Sequence, residues 1–207
     1  MTNPEHWPEI VRARLFDERK IQVFGYLDEA RVSEIAAELW TLDALGDDPV
    51  TLFLSCRGGS VAASLAMIDV LDVVGVDVHA VCIGGAEGPP VAVLSAATKR
   101  SAAPNARFVL RDEQASIEGP FRSLEQSSRR LQDERRELLE RLASSTNGRH
   151  SLGDLLTDFD RGLALSAPEA RRYGLIDEVL SSGERIVQLN KHSPEIGFRR
   201  PPRGSDQ

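Results

Sequence analysis

Four short apolar runs, Ile21–Gly25, Val50–Leu54, Val76–Ile83 and Ala106–Leu110, alternate with three stretches of helical character. This alternation constrains the chain more than any other feature. The first intervening stretch, 29–45, places Val32, Ile35, Ala36, Leu39 and Trp40 at helical spacing. Asp28 is placed to cap its start and Gly46 to stop it. The second follows the turn Ser55-Cys56-Arg57-Gly58-Gly59-Ser60 and runs through Val61, Leu65, Ile68 and Leu71, with Ser60 as its cap. The third is expected from Pro89 to Ala97. Strand, helix, strand repeated in this way has one economical solution, an α/β fold with a parallel sheet built from βαβ units.

Beyond the fourth strand the character changes. Residues 122–145 are dense in Arg and Glu, and Leu124, Leu131 and Leu138 recur every seven residues, joined by Leu139 and Leu142. The spacing predicts a long charged helix with a narrow apolar stripe. It lies on its own domain or packs on another subunit, and the spacing does not choose. Ser166-Ala167-Pro168-Glu169 reads as a capping box for a short helix that ends at Tyr173-Gly174. A last strand is expected over Ile176–Leu180. Residues 1–10 read as a short loose N-terminus, 11–192 as a single domain, and 193–207, with Arg199, Arg200, Pro201, Pro202 and Arg203, as a disordered tail.

The formal net charge of −7 argues against a nucleic-acid partner, since phosphate binding wants a basic face. The first ten residues are too polar for a signal peptide, and no apolar run approaches the roughly 20 residues needed to cross a bilayer. The chain thus reads as cytoplasmic, with no membrane association. Cys56 and Cys82 stand far apart in apolar surroundings, a pattern of buried core thiols rather than of a disulfide framework or a zinc site. No cofactor and no metal is expected.

Five ordered motifs carry a resemblance. Arg19–Gly25 resembles the first strand of the Clp protease proteolytic subunit (ClpP) family, within the crotonase-like superfamily. Cys56-Arg57-Gly58-Gly59-Ser60-Val61 resembles that family's Ser-Pro-Gly-Gly-Ser-Val turn. Val81-Cys82-Ile83-Gly84 resembles the strand that leads to its nucleophile, and Pro104-Asn105-Ala106-Arg107 the segment before its histidine. Ser166-Ala167-Pro168-Glu169-Ala170 with Tyr173-Gly174-Leu175-Ile176-Asp177 resembles its closing segment. The resemblance runs from about Glu9 to Leu180. It implies a ClpP/crotonase-like fold of repeated βαβ units, with a protruding handle helix at about 116–145. It implies a ring oligomer, formed alone or with active paralogues, and contact with a Clp ATPase. That contact is expected to be weakened, because Phe53 remains but Thr51 stands where an aromatic is common. Two more departures are expected: a shortened or absent N-terminal pore loop, and a handle start, Ile117-Glu118-Gly119-Pro120-Phe121, without the family's glycine-rich strand.

The resemblance also assigns the site, and there the residues depart from it. Gly88 matches the nucleophilic serine, Arg111 the general-base histidine and Asp158 the orienting aspartate. Acyl transfer needs an activated nucleophile and a base that can take its proton. Glycine offers no side-chain oxygen, and a guanidinium stays protonated at any physiological pH. The oxyanion positions match the turn Gly58-Gly59 and Pro89, and a proline has no N–H to donate. Losing one such donor alone removes about 3 kcal/mol of transition-state stabilisation. The resemblance is therefore to a catalytically degenerate (ClpR-like) member. The carboxylates Glu87, Asp112 and Glu113 are expected to line the old cleft. There Arg111 pairs with Asp158 or Glu87 as a structural ion pair, or Glu87 and Asp112 form a new acid/base site. The leading reading is a non-catalytic structural or regulatory ring subunit, with Leu124, Leu131 and Leu138 as oligomer contacts. Two others are kept beside it: a crotonase-like enzyme of different chemistry using Glu87, Asp112 or Asp158, and a homo-oligomeric binding protein.

Overall fold

The computed structural model describes residues 7–113 and 121–181, and the side chains of 10–113 and 124–181. The expected pore-loop segment before Trp7, the handle start at 117–120 and the C-terminal tail lie outside the described residues.

Helix α1 (Trp7–Asp17) leads into β1 (Lys20–Leu27), α2 (Glu29–Leu45), β2 (Val50–Gly59), α3 (Val61–Val73) and β3 (Val78–Glu87). A 3-10 helix (Pro89–Ala96) follows, then β4 (Lys99–Ala102) and β5 (Arg107–Leu110). The chain continues through α4 (Phe121–Ser145), α5 (Leu152–Asp160), β6 (Leu163–Ser166), α6 (Ala167–Tyr173) and β7 (Glu178–Val179). The sheet runs β1-β2-β3-β4-β7 in parallel, and β5 pairs with the upper end of β3. The expected α/β class and its βαβ units are present. One pairing departs from them: β5 lies antiparallel to β6, which the sequence reading did not contain.

The caps act where expected. The Asp28 carboxylate accepts from the Arg31 N–H and the Ser60 hydroxyl from the Ala63 N–H. In the capping box at α6 the Ser166 N–H donates to Glu169 at 2.8 Å, and Gly174 takes a left-handed φ of 100° that ends the helix. Val32, Ile35, Ala36 and Leu39 face the core as expected, but Trp40 does not: it is 53% exposed, and Leu42 takes the buried place. The buried stripe turns one step past Trp40, because residues 35, 39 and 42 keep to the core side while 37, 40 and 44 face water.

Three other expectations are corrected, and one strand that the sequence reading did not contain is added. Strand β3 extends to Glu87 rather than stopping at Ile83, so Gly84, Gly85 and Glu87 are strand residues, not a loop. The helix expected over Pro89–Ala97 is a 3-10 helix. Its first bond runs from the Val91 N–H to the Gly88 carbonyl at 3.1 Å, the three-residue spacing, because Pro89 and Pro90 have no N–H to give. Strand β4 carries Lys99 and Arg100, a composition without the alternation that reveals strands. Arg100 is nonetheless 8% exposed: its guanidinium donates to Asp177, to the Ser145 carbonyl and to the Gly174 carbonyl. Finally, the last strand is only Glu178–Val179.

Helix α4 divides in two. Leu138, Leu139 and Leu142 are fully buried in the chain's own core, where α4 packs on the 3-10 helix and α3, whereas Leu124 and Leu131 are only partly covered. Leu138, at 1% exposure, is a core residue of this chain and is not free to serve as an oligomer contact.

Candidate functional site

The ends of β2 and β3 and the start of the 3-10 helix converge on a cleft of about 290 Å³ lined by Tyr26, Arg57, Gly58, Gly59, Gly88, Pro89 and residues 111–113. Its floor is set by glycine. A Cβ on Gly59 would lie 2.8 Å from the Leu27 carbonyl oxygen and 2.7 Å from the Pro90 ring, so the turn approaches both only because that atom is missing. Gly59 and Pro90 are packed against each other.

Gly88 is buried between β3 and the 3-10 helix with φ 69° and ψ −146°, a conformation that side chains other than glycine's rarely adopt. Its N–H donates to the Val109 carbonyl at 2.8 Å, and a Cβ would meet the Arg111 carbonyl oxygen at 3.3 Å. The position expected for the nucleophile therefore lies at a sharp strand-to-helix turn, with no side chain. Pro89, next in the chain, lines the same cleft without a backbone donor.

Arg111 resolves the open pairing. It reaches Glu87 at 3.2 Å and donates to the Arg57 carbonyl at 3.1 Å. It does not pair with Asp158. With 40% of its side chain exposed it lies on the cleft wall rather than filling the cleft. Asp112 is drawn outward into an ion pair with Arg135 of α4 at 2.7 Å, and Arg135 also binds Asp160. Glu113, the third of this run, accepts from the Val61 N–H at 3.0 Å. Burial pushes the Glu113 carboxyl up, Val61 pulls it down, and the Glu134 and Asp112 carboxylates add to the rise.

Asp158 lies elsewhere. It lines a second, more open concavity with His150, Thr157, Arg161 and Tyr173, and is 7% exposed. The Tyr173 hydroxyl donates to it at 2.5 Å, Arg161 pairs with it at 2.7 Å, and His150 stacks on the Tyr173 ring with centroids 3.6 Å apart. Burial, and then the bond to Asp158, push the Tyr173 phenol far up. The three positions matched to a triad are thus not brought together: Gly88 and Arg111 share one cleft, and Asp158 is spoken for in another. Tyr173 was read from sequence as a helix end and as part of the closing motif, and its hydroxyl gave no periodic signal.

Both cysteines are buried, and burial pushes Cys56 up to about 11 and Cys82 up to about 12, so both stay protonated thiols. Among the described residues no cluster of His, Cys, Asp and Glu is placed to hold a metal ion, and no helix is long and apolar enough to cross a membrane.

The sequence profile of the family described as Clp protease matches residues 3–183. The chain belongs to the Clp protease family. It is 35% identical over 175 residues to the ATP-dependent Clp protease proteolytic subunit 1 of Mycolicibacterium paratuberculosis, covering 81% of each chain. It is 34% identical over 175 residues to proteolytic subunit 2 of Mycobacterium tuberculosis, covering 81% of this chain and 79% of the relative. Proteolytic subunit 2 of Corynebacterium jeikeium is 33% identical over 170 residues, with 80% of each chain covered. Membership carries the fold directly; the chemistry must be argued from the cleft.

Proposed function

We propose that this Clp-family chain is a non-catalytic, structural or regulatory subunit of a ring-shaped Clp-type peptidase assembly in the cytoplasm. The observation that carries the reading is Gly88. The residue at the strand-to-helix turn has no side chain, and its backbone N–H is bonded within the fold. Nucleophilic catalysis cannot start there, because no atom is available to form the acyl bond. Arg111, one residue past β5 and lining the same cleft, carries a fixed positive charge and is bonded to Glu87 and to the Arg57 carbonyl. Pro89 withholds the donor that would face an oxyanion.

The cleft carboxylates weigh against an enzyme of different chemistry. Glu87 is neutralised by Arg111 and Asp112 by Arg135, which leaves neither as an unpaired acid or base. Within a ring such a subunit would supply wall and contact surface while active paralogues cut. Leu124 and Leu131, partly covered along the outer half of α4, are the contacts retained for that assembly. Thr51 of β2 lies opposite Lys20 of β1, and Gln22 lies opposite Phe53, which is 2% exposed, so this stretch of the sheet offers little apolar surface and docking of a Clp ATPase is weakened.

Three measurements test the reading together. Native mass spectrometry of the chain with its host's active Clp peptidase should show mixed rings. Fluorogenic peptides should not be cleaved by the chain alone. Fluorophosphonate should leave every serine unmodified. Stoichiometric labelling of a serine in the folded protein would overturn the non-catalytic reading. Stable rings of this chain alone, without the peptidase, would favour the homo-oligomeric binding protein.

A further inference from the structure

Helix α6 and strand β7 border another concavity, of about 430 Å³, which shares no described lining residue with the cleft or with the concavity around Asp158. Pro168, Arg171 and Arg172 stand at i, i+3 and i+4 on α6, so they share one face, and that face opens on Val179 of β7. Both arginines are exposed, and among the described residues neither guanidinium has a hydrogen-bond or ion-pair partner. The acids of these two elements are engaged elsewhere. Glu169 accepts the Ser166 N–H and hydroxyl in the capping box, and Glu178 pairs with Lys99 and accepts from Ser101. The Ser166 bonds hold the Glu169 carboxyl below the usual carboxylate range, and the charges of Arg172 and of Arg107 on β5 add to this. In a chain of net charge −7 the face carries a local excess of positive charge.

Basic residues in the last turn of a helix complement its carbonyl end. That role needs neither two open guanidiniums on one face nor an apolar wall beside them. A guanidinium is a planar fork that matches an oxyanion through two parallel N–H bonds. One fork satisfies a carboxylate, whereas a phosphate monoester brings close to two negative charges and three acceptor oxygens, enough for two forks. We propose that this concavity binds a small phosphate monoester, with its phosphate on Arg171 and Arg172 and its apolar body against Pro168 and Val179. The volume falls in the range of small-molecule sites, roughly 300–1,000 Å³. A protein partner would need about 1,000 Å² of buried surface, far more than four side chains offer. The site is independent of the non-catalytic reading of the cleft, and its failure would leave that reading untouched.

The test is calorimetric titration of the full chain at low ionic strength with phenyl phosphate, which joins a phosphate to a flat apolar ring. Inorganic phosphate, which lacks the ring, and benzoate, which replaces the phosphate by a carboxylate, are the comparators. Phenyl phosphate should bind more tightly than either, and added salt should weaken it. Arg171→Ala/Arg172→Ala should bind it at least about tenfold more weakly, the equivalent of one charge-assisted hydrogen bond lost. Both residues are exposed, so the variant should melt as the parent does. Arg172→Gln alone, expected to weaken binding in the same direction, covers the case in which the double variant does not fold. No detectable binding of phenyl phosphate, or equal affinity in parent and variants, overturns the proposal. Equal affinity for benzoate or inorganic phosphate overturns it too. Binding of polyglutamate without binding of phenyl phosphate would assign the face to an acidic protein segment instead, and so overturn the small-molecule site.

Discussion

At the residue scale, Gly88 and Gly59 do different work. Gly59 is a matter of space: the backbone of β1 and the ring of Pro90 occupy the volume a Cβ would need. Gly59→Ala should cost about 1–3 kcal/mol in urea unfolding, the usual range for forcing atoms into a packed site. Gly88 is a matter of conformation: its φ of 69° is open to glycine and strained for serine. Rebuilding the side chains of a triad with Gly88→Ser and Arg111→His should therefore lower stability by about 1–3 kcal/mol. Peptide hydrolysis by the variant should stay at least about a hundredfold below that of an intact site, because Pro89 still lacks its N–H. Asp158 adds to the deficit, engaged by Tyr173 and Arg161 in the neighbouring concavity. A hydrolysis assay paired with a thermal melt checks both halves, and full activity in the double variant would show that Pro89 is not the missing donor. The cysteines make a simpler prediction. With thiols pushed up to about 11 and 12 by burial, neither Cys56 nor Cys82 should react with a thiol-specific disulfide reagent at pH 8 in the folded protein, and both should react in denaturant.

At the scale of elements, α4 shows how one periodic stripe can serve two purposes. Leucines at 124, 131 and 138 are equivalent in spacing but not in surroundings. The C-terminal half of the helix lies on α3 and the 3-10 helix, and there Leu138 joins Leu139 and Leu142 in the core. On the N-terminal half, Leu124 and Leu131 are only partly covered. Leu138→Ala should cost about 2–5 kcal/mol, the range for a buried leucine, whereas Leu131→Ala should cost about 1 kcal/mol or less. Assembly must then be tested at Leu124→Asp/Leu131→Asp, not at Leu138. That double variant should keep its melting temperature and elute as a smaller species on a sizing column. Unchanged elution of an assembled protein would remove the outer half of α4 from the interface.

Across the whole molecule, the sheet and the closing segment are joined by one buried cation. Arg100, on β4, binds the carboxylate of Asp177, which in turn accepts the Arg100 backbone N–H at 2.9 Å, and reaches carbonyls at the ends of α4 and α6. Partial burial pushes the Asp177 carboxyl up, but the Arg100 bonds and charge outweigh it and hold it below the usual carboxylate range. A carboxyl held low in the folded chain and ordinary in the unfolded chain adds stability above its ordinary value. That stability is lost as the pH falls through the depressed value. Asp177→Asn should flatten the acid side of the stability profile. At neutral pH it should cost about 1–3 kcal/mol, since a buried donor set loses its counter-charge. Denaturant unfolding between neutral and acid pH for both proteins provides the check, and parallel profiles would show that the pair is energetically idle.

The alternation of apolar runs and amphipathic helices was enough to place β1, α2, β2, α3 and the core of β3, and the caps at Asp28, Ser60 and Ser166 were legible because they act over three residues. The motifs also marked Gly88, Pro89 and Arg111 as the positions that differ from what the resemblance implies, since the absence of an atom can be read from a residue name. Tertiary structure alone decided the rest. β4 is held by the pairing of Arg100 with Asp177, 77 residues away, and no local pattern reports a partner at that distance. Glu87 rather than Asp158 meets Arg111 because β3 runs on to residue 87 beside β5, while α5 holds Asp158 against Tyr173. Which of three equally spaced leucines is core was settled by where α4 meets the domain. Periodicity tells which face of an element is apolar, but only the packed chain determines what that face touches.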